Sequence, residues 1–590
     1  MSTPSADRGK RNQQGLALVM AMMLLALLMT MLLGYFTLTR ISLATTGSTM
    51  DSLDGLYVAE AGLNVRADVV RQLFQGYNRP SGTSPDEALP PCVGTNQGSG
   101  DLACVDYDLN GKTATTYLRE HPGNPEVIVV PRGELYQNLS AQEYTYTVDS
   151  VSRNAEGDTH AVLGLQFKSR LVPMFQFAAF YNKDLEILPG PAMLLEGPVH
   201  VNGDLYIGAN NSLDVEGQVT SSGDVYRGRK NVDLCMPGAV TVADPEVQTE
   251  LPPCTLTRRL YTQSELDAWN GMVRTRVDPV SVPPPETLDP VPGEPYWDRA
   301  EIRIMLDLTG ASPSIRVMNV DGTLNAVDAA TLAGCGAASF SDTLYNHREG
   351  SAVDMLDIDV VQLLNCLHTT SLLGGGKDID ETSEGGLVWY LGVIGPDADT
   401  INNYGVRLRN GAELASTEAS APSIRGLTVV THQAVYLEGD YNAVNKKPAA
   451  VLADSINILS NAWLDANSSG PLDARIASDT TIQAAFLAGT DLTGGSDGAA
   501  GRDLGHYNGG LENYPRFHEK WGGHTLTYRG SFVSLNPPRH VSGLWENQSY
   551  QAPARNWFYD TDFDDAAKLP PMTPRFVYLR QQLFLREFEL

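Results

Sequence analysis

Six cysteines, one cationic cluster and two groups of aspartates are the residues of this chain that could carry chemistry. Cys92/Cys104, Cys235/Cys254 and Cys335/Cys366 fall into three sequence-local pairs. Six cysteines allow about 15 connectivities, so local pairing is a preference for short loops, not a deduction. Zinc would need C-x-x-C spacing or histidines gathered round the thiols, and the sequence has neither. Tyr226-Arg227-Gly228-Arg229-Lys230 is the densest cationic run beyond the first fifteen residues. Arg227, Arg229 and Lys230 could meet DNA or an anionic glycan, or they could merely solvate a turn. Asp491, Asp497 and Asp503 could offer oxygens to calcium, but without EF-hand spacing; Asp354, Asp357 and Asp359 read the same way, as solvated acidic loops.

Catalytic patterns fail on inspection. Gly494-Gly495-Ser496-Asp497-Gly498 satisfies G-x-S-x-G, yet the polar, glycine-rich stretch after it cannot form the apolar helix of a nucleophile elbow. Gly111-Lys112-Thr113 lacks the first glycine of a phosphate loop, because Asp106 stands there. No H-E-x-x-H occurs. The expectation is a protein with no catalytic residues, no metal and no cofactor.

The composition says what must position these residues. Of 590 residues 42% are hydrophobic, enough for large cores, while charged residues reach only 19%. With 55 glycines and 35 prolines, many short strands are expected over long helical bundles. Forty-two basic residues against 70 acidic ones leave a net charge of −28, which repels phosphate backbones and disfavours general nucleic-acid binding.

One segment departs from this pattern. Arg8, Lys10 and Arg11 precede residues 16–38, which carry no charge. At about 1.5 Å per residue such a helix is roughly 34 Å long, sufficient to cross a bilayer with the basic end in the cytoplasm. The run exceeds the apolar core of a secretory signal, and no small-residue cleavage site follows directly. A buried globular helix or a plain signal anchor are the alternatives. Helical spacing continues through Leu53, Leu56, Leu63, Ala67, Val70 and Phe74, with a weak patch at Thr45-Thr46-Gly47-Ser48-Thr49.

This N-terminus resembles a type IV prepilin. Gln13-Gln14-Gly15-Leu16-Ala17-Leu18-Val19 is similar to the start of PilX-type minor pilins, over about the first 75 residues. The resemblance implies cleavage by a prepilin peptidase between Gly15 and Leu16, and assembly with other minor and major pilins. Two positions depart from the major-pilin pattern: Leu16 replaces phenylalanine, and Met20 stands at the fifth mature position, where most pilins carry glutamate. That glutamate is thought to pair with a neighbour's terminal amine in a low-dielectric core, so Met20 points to a subunit near the tip.

The rest of the chain reads as β structure. Glu143–Val151 alternates, Asn154–Asp158 supplies a turn, and Thr159–Lys168 returns, so a hairpin is expected. Residues 76–105 read as a loop. Further on, the pattern E-G-x-V-x-x-x-G-D-x-Y occurs at Glu196–Tyr206 and again at Glu216–Tyr226, and a fragment recurs at Tyr436–Tyr441. Strands punctuated at a fixed period suggest the coils of a β-solenoid; hairpins in a sandwich are the alternative.

The expected class is therefore α+β: a long N-terminal pilin helix with a small antiparallel sheet, plus a large mainly-β solenoid. The layout is leader 1–15, membrane and assembly helix 16–75, pilin-like module 76–175, and solenoid 176–565. Within the solenoid an insertion is expected near 231–300, with a helix around Ser264–Arg274; a C-terminal segment, 566–590, docks back on the small sheet. Tyr514–Trp521 is expected to close the solenoid end, with a sugar-binding rim as the sharper reading. The implied role is a non-enzymatic minor pilin, single-pass in the inner membrane and then in the extracellular pilus. It would prime assembly and display its solenoid for adhesion to a host or surface glycan, or for DNA capture. The alternatives are a membrane-anchored β-helix carbohydrate-active enzyme and a purely structural initiator of assembly.

Overall fold

A computed structural model describes residues 10–75, 79–109, 112–153, 159–244, 247–491, 493, 510–543, 545 and 549–587. One unbroken helix, Lys10–Gln75, leads into a small antiparallel sheet and then a large body of short strands, an α+β chain that is mainly β beyond the helix. The weak patch stays helical. The hydroxyls of Thr45, Thr46 and Thr49 donate to carbonyls four residues back at 2.8 Å, so they close on the helix instead of competing with it.

The small sheet runs, in spatial order, Val105–Leu109, Lys112–Glu120, Ser140–Arg153, Thr159–Pro173 and Arg575–Glu587. Ser140–Arg153 and Thr159–Pro173 are the two arms of a long antiparallel hairpin; the expected turn at Asn154–Asp158 lies outside the described residues. Alternation puts Tyr144, Tyr146 and Val148 from one arm, and Ala161, Leu163, Leu165 and Phe167 from the other, into one core under the helix. The C-terminal strand joins the same sheet, with Arg575 opposite Pro173 and Glu587 opposite Val162. Residues 82–100 are not wholly loop, since Gly82–Thr83 pairs with Ser99–Gly100.

In the large body the twenty-residue repeat appears as strand pairing. Val199 pairs in parallel with Ala179 on one side and Val219 on the other; Leu205 pairs with Leu185 and Val225. A third ladder joins Met193–Leu195, Ser212–Glu216 and Ala239–Asp244. Each repeat thus adds one strand to three separate sheets. Val199, Val201, Leu205, Ile207, Leu213 and Val215 point inward and are buried; burying such a side chain contributes about 1.5–3 kcal/mol.

The Gly-Asp of the repeat has a mechanical reason. Asp184 Oδ1 accepts the backbone N–H of Asp204, and Asp204 Oδ1 accepts that of Asp224, both at 2.8 Å. Arg276 closes the row at 3.0 Å from Asp224. A Cβ on Gly203 would lie 2.2 Å from Asp184 Oδ1, and one on Gly223 2.2 Å from Asp204 Oδ1. The glycine therefore makes room for the aspartate of the previous repeat. Tyr206 and Tyr226 stack at 4.8 Å, with Arg258 over the outer ring at 5.1 Å.

The chain does not wind from one end of this body to the other. The longest sheet has eleven strands, and Ala179–Tyr181 lies inside it, paired in parallel with Phe532–Ser534. From that point the chain builds outward to Val273–Arg274 and crosses to the opposite end, where Ile302–Asp307 pairs with the edge strand Ser314–Val317. It then returns through Leu387–Ile394, Leu427–Val430, Ala449–Ala453 and Ala485–Ala488 to Phe532–Ser534.

Several expectations need correction. Much of the segment expected as an insertion extends the ladders instead: Ala239–Asp244 and Val273–Arg274 each pair in parallel with a repeat strand. The helix expected around Ser264–Arg274 is only Gln263–Leu266 followed by a 3-10 turn, because Asn270 and Gly271 both take positive φ, 48° and 78°. Tyr514, Phe517 and Trp521 do not close an end: all are buried, and Tyr514 packs on Tyr181 and Phe532 where the two halves meet.

The Gly-Asp arrangement predicts coupling. Gly223→Ala and Asp204→Ala should each lower stability by about 1–3 kcal/mol. Gly223→Ala should cost less in the Asp204→Ala background, where the obstructing oxygen is gone. A double-mutant cycle by denaturant unfolding measures this, and strict additivity would contradict it.

Candidate functional site

The feature with the clearest capacity for function is the N-terminal helix, whose two halves face different surroundings. Among the described residues it is the one helix long and apolar enough to cross a membrane. From Leu16 to Met50 its large apolar side chains are exposed, Leu16 at 66% and Met20 at 61%. No charge interrupts the sequence between Leu16 and Thr39; Arg40 is the next one. The polar hydroxyls inside this stretch are satisfied locally: Thr30 donates to Leu27 O, Thr37 to Leu33 O and Thr39 to Tyr35 O. A helix so built fits lipid or the apolar faces of other helices.

The second half sits on the small sheet. Its buried stripe is Gly55, Ala59, Gly62, Leu63, Arg66 and Val70, with Leu56 and Ala67 packed against it. Leu53, expected in the stripe, is 45% exposed, and the side chain of Phe74 lies outside the described residues. The sheet comes so close that a Cβ on Gly62 would stand 2.8 Å from Ala114 Cβ. These small residues were not legible as a contact face, because a search for apolar side chains passes over glycine. Arg66 is buried beneath the turn that follows; it donates to Asp101 O at 2.6 Å and Ala103 O at 2.9 Å. That turn is held by the Cys92–Cys104 disulfide. On the sheet's other flank Glu143, 2% exposed, takes Arg170 Nε at 2.7 Å and Lys168, while Glu134 holds Arg170 Nη1 at 2.6 Å. Burial opposes the Arg170 charge, but these carboxylates outweigh it and raise its pKa.

The other two disulfides lie in the large body. Cys235–Cys254 ties a loop beside the first ladders, and Cys335–Cys366 joins the helices Ala326–Cys335 and Val360–Thr369. No free cysteine occurs among the described residues.

The structure takes the remaining candidates apart. Arg227 is no surface cation: it is fully buried opposite Ile207, donates to the Gly238 carbonyl, and is held below its ordinary pKa by burial. Lys230 pairs with Asp184 at 3.1 Å, and Arg229 is half-buried. The expected anionic-ligand patch at Arg227, Arg229 and Lys230 therefore does not form, because alternation turns Arg227 into the core. Asp491 is buried between Arg348 and Arg516, at 3.0 and 3.1 Å. Asp497, Asp503 and the G-x-S-x-G at 494–498 lie outside the described residues. Asp357 binds Arg407 and Arg409, and Asp359 caps a helix through the N–H of Gln362; these are cross-strand ties, not solvated loops. Among the described residues no cluster of histidine, cysteine or carboxylates could hold a metal.

No protein-family model matches the chain, and no curated protein does. Among solved structures it is similar to the competence-associated pilin ComZ from Thermus thermophilus, with 14% identity and a TM-score of 0.26 over 91% of this chain and 98% of that one. At that level of likeness neither fold nor role is carried across, and the residues must speak for themselves.

The close seat of the helix is testable. Gly62→Leu should lower stability by about 1–3 kcal/mol, since the added atoms must displace Ala114 and Ser150. Gly47→Leu, with open space around it, should be neutral or mildly stabilising. Thermal unfolding of the full chain in detergent compares them; equal effects would contradict the seat.

Proposed function

We propose that this chain is a minor pilin of the PilX type, placed at or near the tip of a type IV pilus. The observation that supports it best is the continuous helix, Lys10–Gln75, with an uncharged exposed half after Gly15 and a second half seated on an antiparallel sheet. In this reading a prepilin peptidase removes residues 1–15, and Leu16 becomes the N-terminus. The helix first anchors the subunit in the inner membrane and then packs among other pilin helices. Three disulfides suit a chain that folds outside the cytoplasm.

The stacked parallel ladders are, in this reading, the coils of a β-solenoid displayed outward for adhesion to a glycan-bearing surface, with DNA capture as the second use. The body works by binding. A carbohydrate enzyme on coils would need carboxylates aligned on adjacent turns, and Asp184, Asp204 and Asp224 are so aligned. Each of them, however, already has a partner: backbone N–H groups of the next coil, Lys230, or Arg276. Met20 supports the tip position. It gives a neighbour's terminal amine no carboxylate, so adding this subunit above another would leave that amine unpaired in apolar surroundings.

Mass spectrometry of the mature chain should find Leu16 first, and Gly15→Leu should retain the leader. An intact N-terminus in a piliated cell would reject the pilin reading. Immunogold against the large body should mark one end of the filament; regular labelling along the shaft would reject the tip position.

A further inference from the structure

Between the small sheet and the large body lies a cleft of about 380 Å³, within the range of small-ligand sites and roomy enough for one or two sugar rings. Three parts of the chain meet there. Arg79 follows the long helix, Gln142, Tyr144 and Arg575 stand on the small sheet, and from the body come Arg299, which ends the short helix Pro295–Arg299, and Glu384 in a turn. Three guanidinium groups therefore face one carboxylate, in a chain whose net charge is −28. Arg299 reaches Glu384 only at 3.3 Å and is 44% exposed; Arg79 is exposed and makes no ion pair among the described residues. Arg575 donates to Gln142 Oε1 at 2.6 Å, which orients the Gln142 amide so that its nitrogen remains a donor.

We infer that this cleft binds a saccharide unit bearing a carboxylate or sulfate. Guanidinium forks recognise such oxyanions in pairs, an amide donor suits ring hydroxyls, and the Tyr144 ring provides an apolar wall. The acidic field of the whole chain disfavours a long phosphate polymer but leaves a small anion free to enter a local positive cleft. The site deepens the adhesion part of the function proposed above and does not depend on where the subunit sits in a filament.

The test uses the full chain in detergent micelles and calorimetric titration with a glucuronate-containing disaccharide, a sulfated disaccharide and a neutral disaccharide. At least one acidic disaccharide should bind, and the neutral one about tenfold more weakly or worse. The double variant Arg79→Gln/Arg299→Gln should lose about tenfold in affinity, while Glu384→Gln should gain severalfold. Both arginines are surface groups, and an unchanged thermal midpoint checks that the variants fold. Absence of acidic-sugar binding at about 1 mM, equal affinity for neutral sugar, or an unaffected double variant would overturn the site. Tighter arginine-dependent binding of inorganic phosphate or a short oligonucleotide would overturn the sugar assignment. Loss of filament-end labelling would instead bear on pilus position alone.

Discussion

Ala178 accepts a hydrogen bond from Phe532 at 3.1 Å, Asn182 donates to Ser534 at 2.8 Å, and the Ser531 hydroxyl donates to Phe177 at 2.6 Å. These bonds make the seam where the chain, after leaving its first strand in the body, comes back to meet it. Tyr181, Tyr514, Phe532 and Tyr528 pack across it, with ring centres 4.4 to 6.3 Å apart. Without the seam the eleven-stranded sheet would be two shorter sheets, each with an open edge ready to pair elsewhere. Closing a loop of this length costs only a few kcal/mol in chain entropy, because the penalty grows with the logarithm of length. The pairing is nonetheless remote in sequence, joining residues about 350 positions apart, the kind of contact that slows folding.

The seam also decides where the ends emerge. Thr159–Pro173 feeds directly into the body, and Arg575–Glu587 leaves it, side by side in the small sheet. The same sheet carries the long helix on its face. One compact module thus joins three things: the apolar helix, the entry strand and the exit strand. The cationic cleft lies where that module meets the body: Arg79 follows the helix, Arg575 stands on the exit strand, and Arg299 comes from the body.

How much of this could be read in the sequence depended on regularity. The apolar helix was plain, as were the hairpin arms and the repeat at twenty residues, where identical residues do identical work in successive turns. In the second half of the body Leu427 pairs with Ala449, Ala450 with Ala485 and Phe486 with Phe532. The intervals are unequal because long excursions leave the strands, and no fixed period survives in the residues. Arg227 was misread because a cluster of cations looks solvated until strand alternation turns one of them inward. The seat of the helix escaped notice because its closest contacts are made by glycines, and the cleft because its residues are hundreds of positions apart.

The double attachment of the body has a consequence under tension. If an outer surface held the body while the helix was drawn the other way, the load would pass through two adjacent strands instead of one linker. Pro173 and Arg575 face each other at the same end of that pair, so both attachments would be pulled from one edge of the module. The body itself has no loose terminus for a pull to peel away. It behaves as a closed loop hung from a clamp, and an outer turn could open and reclose while the anchorage held.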